Sequence, residues 1–262
     1  MIKDLWIHRK YIIVNGINGL LGRYRGTALG WVWAFLPSLA LIGIYGIVFS
    51  KIMPVHRVGT GPMTVSFGLY LASGLLPWLA FSEFLVRGSQ TLVEAAAYLK
   101  KMPTKEAVFV AQTSVGVLAS LAISLFIMCL IAPFFGNYPQ PAWLLMLPLA
   151  LLLGGLGFGI GCILAGLNVF FRDVGQALGI ILQIWMWSVP VVYVEEIVPN
   201  SFRYLFWLNP IYPFLVGFRE VFLDNQLPSA IIWGAMVGWS VLFILLGTGF
   251  LHLLRGEIRD AL

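Results

Sequence analysis

The chain has 262 residues, of which 60% are hydrophobic, 15% aromatic and only 10% charged, with a net charge of +5. Soluble domains carry about 25% charged residues, so this composition excludes a soluble globular protein and leaves no polar block large enough for a separate catalytic domain. The basic excess is that of an integral membrane protein with Lys and Arg held at its cytoplasmic face, and not of a nucleic-acid binder.

The N-terminal segment, KDLWIHRKYIIVNGINGLLGRYRG, is amphipathic. On a helix Trp6, Ile13, Ile17, Leu20 and Tyr24 form one stripe, with Asp4, His8, Asn15, Asn18, Gly22 and Arg25 opposite. Such a helix lies flat in the cytoplasmic interface, apolar side toward the acyl chains. Because this polar segment precedes the first apolar run, no cleavable signal peptide is expected. Arg23 and Arg25 would diverge by about 200° on a regular helix. The flanking Gly22 and Gly26 favour a break that lets both converge; otherwise only one can reach a given ligand.

Six apolar runs follow, at 29–50, 65–86, 107–133, 142–169, 176–194 and 229–254, each near or above the length that crosses a bilayer. Backbone groups in lipid must be paired internally, so these are helices. Pro37, Pro77, Pro133, Pro148 and Pro190 bound or kink them. Within the second run Glu83 is the one carboxylate that could lie inside the bilayer, and Arg87 one turn later is its expected partner. The stretch TLVEAAAYLKKMPTKEAVF then reads as a short loop helix with a stripe of Leu92, Ala95, Leu99 and Met102, stopped by Pro103. Cys129 and Cys162 lie inside apolar runs and read as small buried hydrophobes. The glycine run GGLGFGIG at 154–161 lacks the lysine of a phosphate loop and reads as close helix packing.

After the fourth run, NVFFRDVGQ sets Arg172 and Asp173 side by side in a tight cytoplasmic turn. The segment 194–229 is too polar and proline-broken to span, yet too aromatic for an ordinary loop. It reads as two short helices dipping into the outer membrane face, and irregular backbone at that depth makes it a candidate gate. Twelve of the sixteen Lys and Arg residues fall on one side of this topology, with Lys51, Arg57, Arg203 and Arg219 on the other. Both termini are therefore expected in the cytoplasm. His8, His56 and His252 are scattered, which argues against a metal cluster. Trp31, Trp33, Trp78, Trp185, Trp187, Tyr193 and Trp207 stand near run ends, where they form an interfacial belt or, in part, stack on sugars in a passage, and Tyr204 lies in the candidate gate.

The ordered set GRYRGTALGWVWAFLPS, LKKMPTKEAVF, NVFFRDVGQ, WSVPVVY and LNPIYPF resembles the membrane subunit of type-two ATP-binding-cassette exporters, most nearly the permeases that export O-antigen and related polysaccharides. The resemblance covers almost the whole chain. It implies an all-α integral membrane protein with six transmembrane helices, an interfacial helix at 3–25, a cytoplasmic coupling helix at 91–105 and re-entrant gate helices at 196–223. It implies a homodimer forming one channel, docked on two ATPase subunits that bind ATP and Mg, with no cofactor in this chain. The cargo it implies is a glycan on a polyprenyl diphosphate carrier in the bacterial inner membrane. Arg23 and Arg25 would then meet the carrier diphosphate, Tyr98, Leu99, Lys100, Lys101, Arg172 and Asp173 the ATPase, and the eight aromatics the channel or gate. A capsule or teichoic-acid exporter of the same class is the alternative. An enzyme acting on polyprenyl lipids needs clustered carboxylates or a metal, and Glu83 and Asp173 are far apart in sequence. A bare anchor subunit would leave the broken aromatic segment unexplained.

Overall fold

The computed structural model describes residues 2–23, 25–47, 67–101 and 104–261, and among these it holds helices and turns but no strand. In chain order the helices are α1 (Ile2–Ile7), α2 (Arg9–Gly22), α3 (Leu36–Ile47), α4 (Phe67–Glu94), α5 (Ala96–Lys101), α6 (Glu106–Ile131), α7 (Met146–Phe170), α8 (Asp173–Trp187), α9 (Asn200–Arg203), α10 (Tyr212–Phe222), α11 (Ala230–Leu253) and α12 (Arg255–Ala261). Among the described residues four stretches are long and apolar enough to cross a bilayer: α4, Glu106–Phe135 containing α6, Pro141–Phe170 containing α7, and α11.

The first expected span begins later than the sequence suggests, at Leu36, and the fifth ends earlier. A 3₁₀ turn, Gly30–Ala34, precedes α3; the remainder of the first run, the start of the second, and both Lys51 and Arg57 lie outside the described residues. The run at 176–194 stops being helical at Trp187, where the Ser188 amide bonds back to the Trp185 carbonyl and Pro190 follows. A residue before proline is steered away from helical backbone, which ends α8 early. Its 15 residues rise about 22 Å, against a hydrocarbon core of about 30 Å.

The bundle is built around α4, which packs on α3, α6, α7, α8 and α10, and α7 in turn lies between α4 and α11. The glycine run makes these approaches possible. A methyl group on Gly88 of α4 would stand 2.8 Å from Gly161 Cα, Gly157 lies under Phe84, and Gly154 lies under Leu118 of α6. Gly159 meets the backbone of Phe243 on α11, and Gly247 of α11 meets the Gly159 carbonyl. Successive glycines thus face three different neighbours, because each residue turns the helix by about 100°. In lipid such backbone approach is what holds helices together, since apolar area alone gains nothing over acyl chains. Gly159→Leu is therefore expected to lower the melting temperature in detergent sharply, at a cost of at least about 1–3 kcal/mol from overpacking. Gly238→Ala, which meets no atom of the described chain within 4 Å, should melt as the parent does. Equal melting of the two variants would refute the packing role.

At one end of the bundle α10 is buried against α4, α7 and α11. Its last carbonyls would lack helical partners, and Asn137 Nδ2 (2.9 Å) and Trp143 Nε1 (3.2 Å) both donate to Phe222 O. Arg219 on α10 is buried, donates to Val191 O at 2.9 Å, and stacks 4.0 Å over the Tyr70 ring. Tyr70 Oη reaches Tyr193 O at 3.2 Å. The segment after α8 is thereby tied to both α4 and α10. The opposite end carries α1 and α12, where Asp4 pairs with Lys105 and Glu106 with Arg255 and Arg259.

Candidate functional site

The N-terminal segment is broken at His8, whose ring Nδ1 donates to Asp4 O at 2.9 Å. Beyond the break α2 lies along α6 through Ile12, Gly16 and Leu20. Gly16 and Gly116 make this possible: a methyl on Gly16 would stand 2.6 Å from Gln112 O, and one on Gly116 3.0 Å from Gly16 O. The stripe expected to face acyl chains is thus divided. Trp6, Ile13 and Ile17 are exposed, but Leu20 is buried in protein, and Tyr24 lies outside the described residues.

This packing delivers Arg23 to Glu83. The helix ends at Gly22, and Gly26 takes a left-handed φ of 82°. Arg23 NH1 donates to Glu83 Oε1 at 2.7 Å, and Arg87 Nε donates to the same oxygen at 2.8 Å. The Glu83–Arg87 pair agrees with the i,i+4 expectation; the contact from Arg23, 60 residues away, does not appear in any local pattern. Arg25 remains exposed. The two arginines do not share one partner here, because Arg23 turns inward over α6. Above them a cleft of about 240 Å³ runs between α3, α4 and α6, with Ser38, Ser120 and Ser124 in its walls.

A second charged assembly joins three segments at Thr104–Glu106. Lys105 Nζ bonds Asp4 Oδ2 of α1 at 2.5 Å, and this ammonium holds the Asp4 carboxyl down at about 2. Glu106, 1% exposed, receives Arg259 Nε at 2.8 Å and Arg255 Nε at 3.4 Å on Oε1. Arg259 NH2 also donates to Thr104 O at 2.8 Å. Glu106 Oε2 is buried without a hydrogen-bond partner among the described residues, beside a space of about 40 Å³ lined by Lys105, Glu106, His252 and Arg255. That space is large enough for water to serve the orphan oxygen. Under the charges lies a small apolar core in which Leu99 and Leu92 cluster with Phe109, Leu251 and Ile258.

These observations revise several expected sites. The helix at 91–105 is divided: Thr91–Glu94 complete α4, α5 covers Ala96–Lys101, and Met102 and Pro103 lie outside the described residues. Leu99, 2% exposed, is core and cannot anchor a partner, whereas Tyr98 at 63% and Lys100 are exposed. The Lys101 and Trp31 side chains lie outside the described residues. Trp78, at 3% exposure, gives its ring to Phe81 and Trp185 and so faces no passage. Trp185 is half-buried and donates to Asn209 Oδ1 at 3.0 Å, and Tyr193 is half-buried as well. Trp33, Trp187, Tyr204 and Trp207 are exposed. Arg172 and Asp173 are exposed too, and Asp173 opens α8, where the helix dipole favours a carboxylate.

The whole-chain comparisons decide what kind of protein carries these assemblies. The sequence profile described as ABC-2 type transporter matches residues 12–223. The chain belongs to the ABC-2 type transporter family. It is 27% identical to an O-antigen export system permease protein of Myxococcus xanthus, over 100% of this chain and 99% of that protein. A Klebsiella pneumoniae protein of the same description is 26% identical over 94% of this chain and 88% of its own length. A polysialic acid transport protein of Escherichia coli is 27% identical over 95% and 92%. The family match runs from α2 to the end of α10 and so includes Arg23, Glu83, Glu106 and Arg219.

Three residues of this ABC-2 chain escape sequence reasoning. Glu106 looks like an ordinary acid in a helix first turn, since its partners stand 149 and 153 residues away. Arg219 reads as a flanking charge until α10 is seen to be buried. Asn168 is buried, donates to Ser89 O at 3.0 Å and accepts from the Gly175 amide at 3.1 Å, so it fixes the α7–α8 turn in place of its charged neighbours.

Proposed function

We propose that the chain is the channel-forming permease subunit of an ATP-driven exporter that moves polyprenyl-diphosphate-linked polysaccharide of the O-antigen type across the bacterial cytoplasmic membrane. The observation that carries this reading is end-to-end similarity to proteins named as O-antigen export permeases, within an ABC-2 match covering most of the chain. In this reading two copies form one channel and two ATPase subunits bind ATP and Mg beneath them. α3 and α8 complete six spans. Both termini lie in the cytoplasm, where Lys and Arg collect. α5 with Tyr98 and Lys100, together with the Arg172–Asp173 turn, faces the ATPases. The segment 196–223 re-enters the outer leaflet as the gate, with Trp187, Tyr204 and Trp207 available to stack on sugar faces. Arg23 and Arg25 lie where the carrier diphosphate arrives.

The polysialic acid transport relative supports a second reading in which the cargo is a capsular polymer. Deleting the gene decides between them: lipid-linked glycan should accumulate inside the cell while one surface polymer, O-antigen or capsule, disappears. Purification should bring down an ATPase in equal amount. Intact surface glycans of both kinds would end the proposal.

A further inference from the structure

Among the described residues two carboxylates each receive two arginines on a single oxygen, and their surroundings differ. Glu106 is sealed at 1% exposure, with only about 40 Å³ beside it. Glu83 is 29% exposed and lines the cleft of about 240 Å³. The first arrangement is a fixed latch, because nothing larger than water can replace the carboxylate. The second can be displaced.

Resting on the reading that a lipid diphosphate meets Arg23, we propose that Glu83 is an internal stand-in for the phosphate, holding the Arg23 and Arg87 guanidiniums together until a diphosphate head group displaces it into the cleft. One carboxylate oxygen 2.7 Å from Arg23 NH1 and 2.8 Å from Arg87 Nε marks a point where two planar forks converge. That is the disposition a phosphate oxygen takes, because guanidinium donates paired, charge-assisted bonds to phosphate. Arg23 Nε is buried and has no hydrogen-bond partner among the described residues. A buried donor without a partner is costly, and a ligand oxygen would satisfy it where the single Glu83 oxygen does not. In the cleft wall the Ser38 and Ser124 hydroxyls bond each other at 2.7 Å and can turn toward a second phosphate. A diphosphate brings more negative charge than the one carboxylate it replaces, so its attraction to the two guanidiniums is stronger. Glu83 in turn keeps two cations from standing uncompensated at membrane depth when no carrier is bound.

If Glu83 merely positioned Arg23 for the ligand, neutralising it would weaken binding; as a competitor, neutralising it strengthens binding. The test uses the permease with its ATPase in nanodiscs and farnesyl diphosphate as probe. Glu83→Gln, which keeps an acceptor oxygen, is expected to bind about three- to tenfold tighter than the parent. Glu83→Asp, which keeps the charge but shortens its reach, should gain less and serves if the glutamine variant fails to assemble. Arg23→Gln should bind more weakly, and inorganic pyrophosphate should compete in all of them. Weaker or unchanged binding by Glu83→Gln, with the parent binding normally, overturns the stand-in role and leaves the lipid-diphosphate reading intact. Failure of pyrophosphate to compete places recognition on the prenyl chain and overturns it as well. Absence of binding by parent and variants alike removes the underlying reading.

Discussion

Glu106→Ala is expected to lower the stability of the membrane domain by about 2–3 kcal/mol and to free α12 from the terminal end of the bundle. Breaking a buried ion pair costs about 3–5 kcal/mol when the surviving charge stays buried. Arg255 and Arg259 are about one-third exposed and can turn to water, which places the cost at or below the lower end. Arg259→Ala should be the more damaging single arginine change, since it also removes the 2.8 Å bond to Thr104 O. Arg255, at 3.4 Å, contributes less. Thermal unfolding in detergent reads the first effect, and protease cleavage after Leu254 reads the second. An unchanged melt with α12 still protected would show that the latch carries no weight. The neighbouring Asp4–Lys105 bridge is insensitive to physiological pH. Its carboxyl is depressed to about 2, so its contribution is present above the ordinary carboxylate range and is lost only as pH falls toward that value.

Long apolar runs and a glycine-rich run at 154–161 made the bundle legible, because lipid forces helices and close approach forces small residues. Span limits were less legible. At Trp187 and Gly30 local turns win over hydropathy, and a hydropathy window cannot see a turn. The amphipathic start is legible as a segment, and Trp6, Ile13 and Ile17 of its apolar stripe are exposed as expected, but Leu20 is buried in protein. Glycines at 16 and 116 seat α2 on protein, and their mutual contact spans 100 residues of sequence that no periodicity links. The same limit leaves only the local partner of Glu83, Arg87, legible in the sequence and hides its distant one, Arg23. Tyr98 and Leu99 look alike in the sequence because a six-residue helix with one apolar stripe does not say whether that stripe meets its own bundle or another protein.

That last ambiguity yields the sharpest functional contrast. Leu99→Glu is expected to destroy the protein, and Tyr98→Glu to spare the fold while uncoupling it. Leu99 is 2% exposed and packs in the cluster with Leu92, Phe109 and Ile258. A carboxylate there loses the packing of a leucine and has no partner in that core, a cost of at least about 3 kcal/mol. Little permease should reach the membrane. Tyr98 is 63% exposed on the adjoining face of α5, so Tyr98→Glu leaves the core whole. Where α5 faces the ATPase, as proposed, a tyrosine that anchors the contact costs about 2 kcal/mol or more when truncated. Tyr98→Glu should therefore accumulate and melt normally, yet retain less ATPase on purification and lose most glycan-stimulated ATP hydrolysis. Surface glycan display at the parent level in Tyr98→Glu cells would place the ATPase contact elsewhere on the terminal face. The Arg172–Asp173 turn, exposed at the start of α8, would be the next to carry the same substitution.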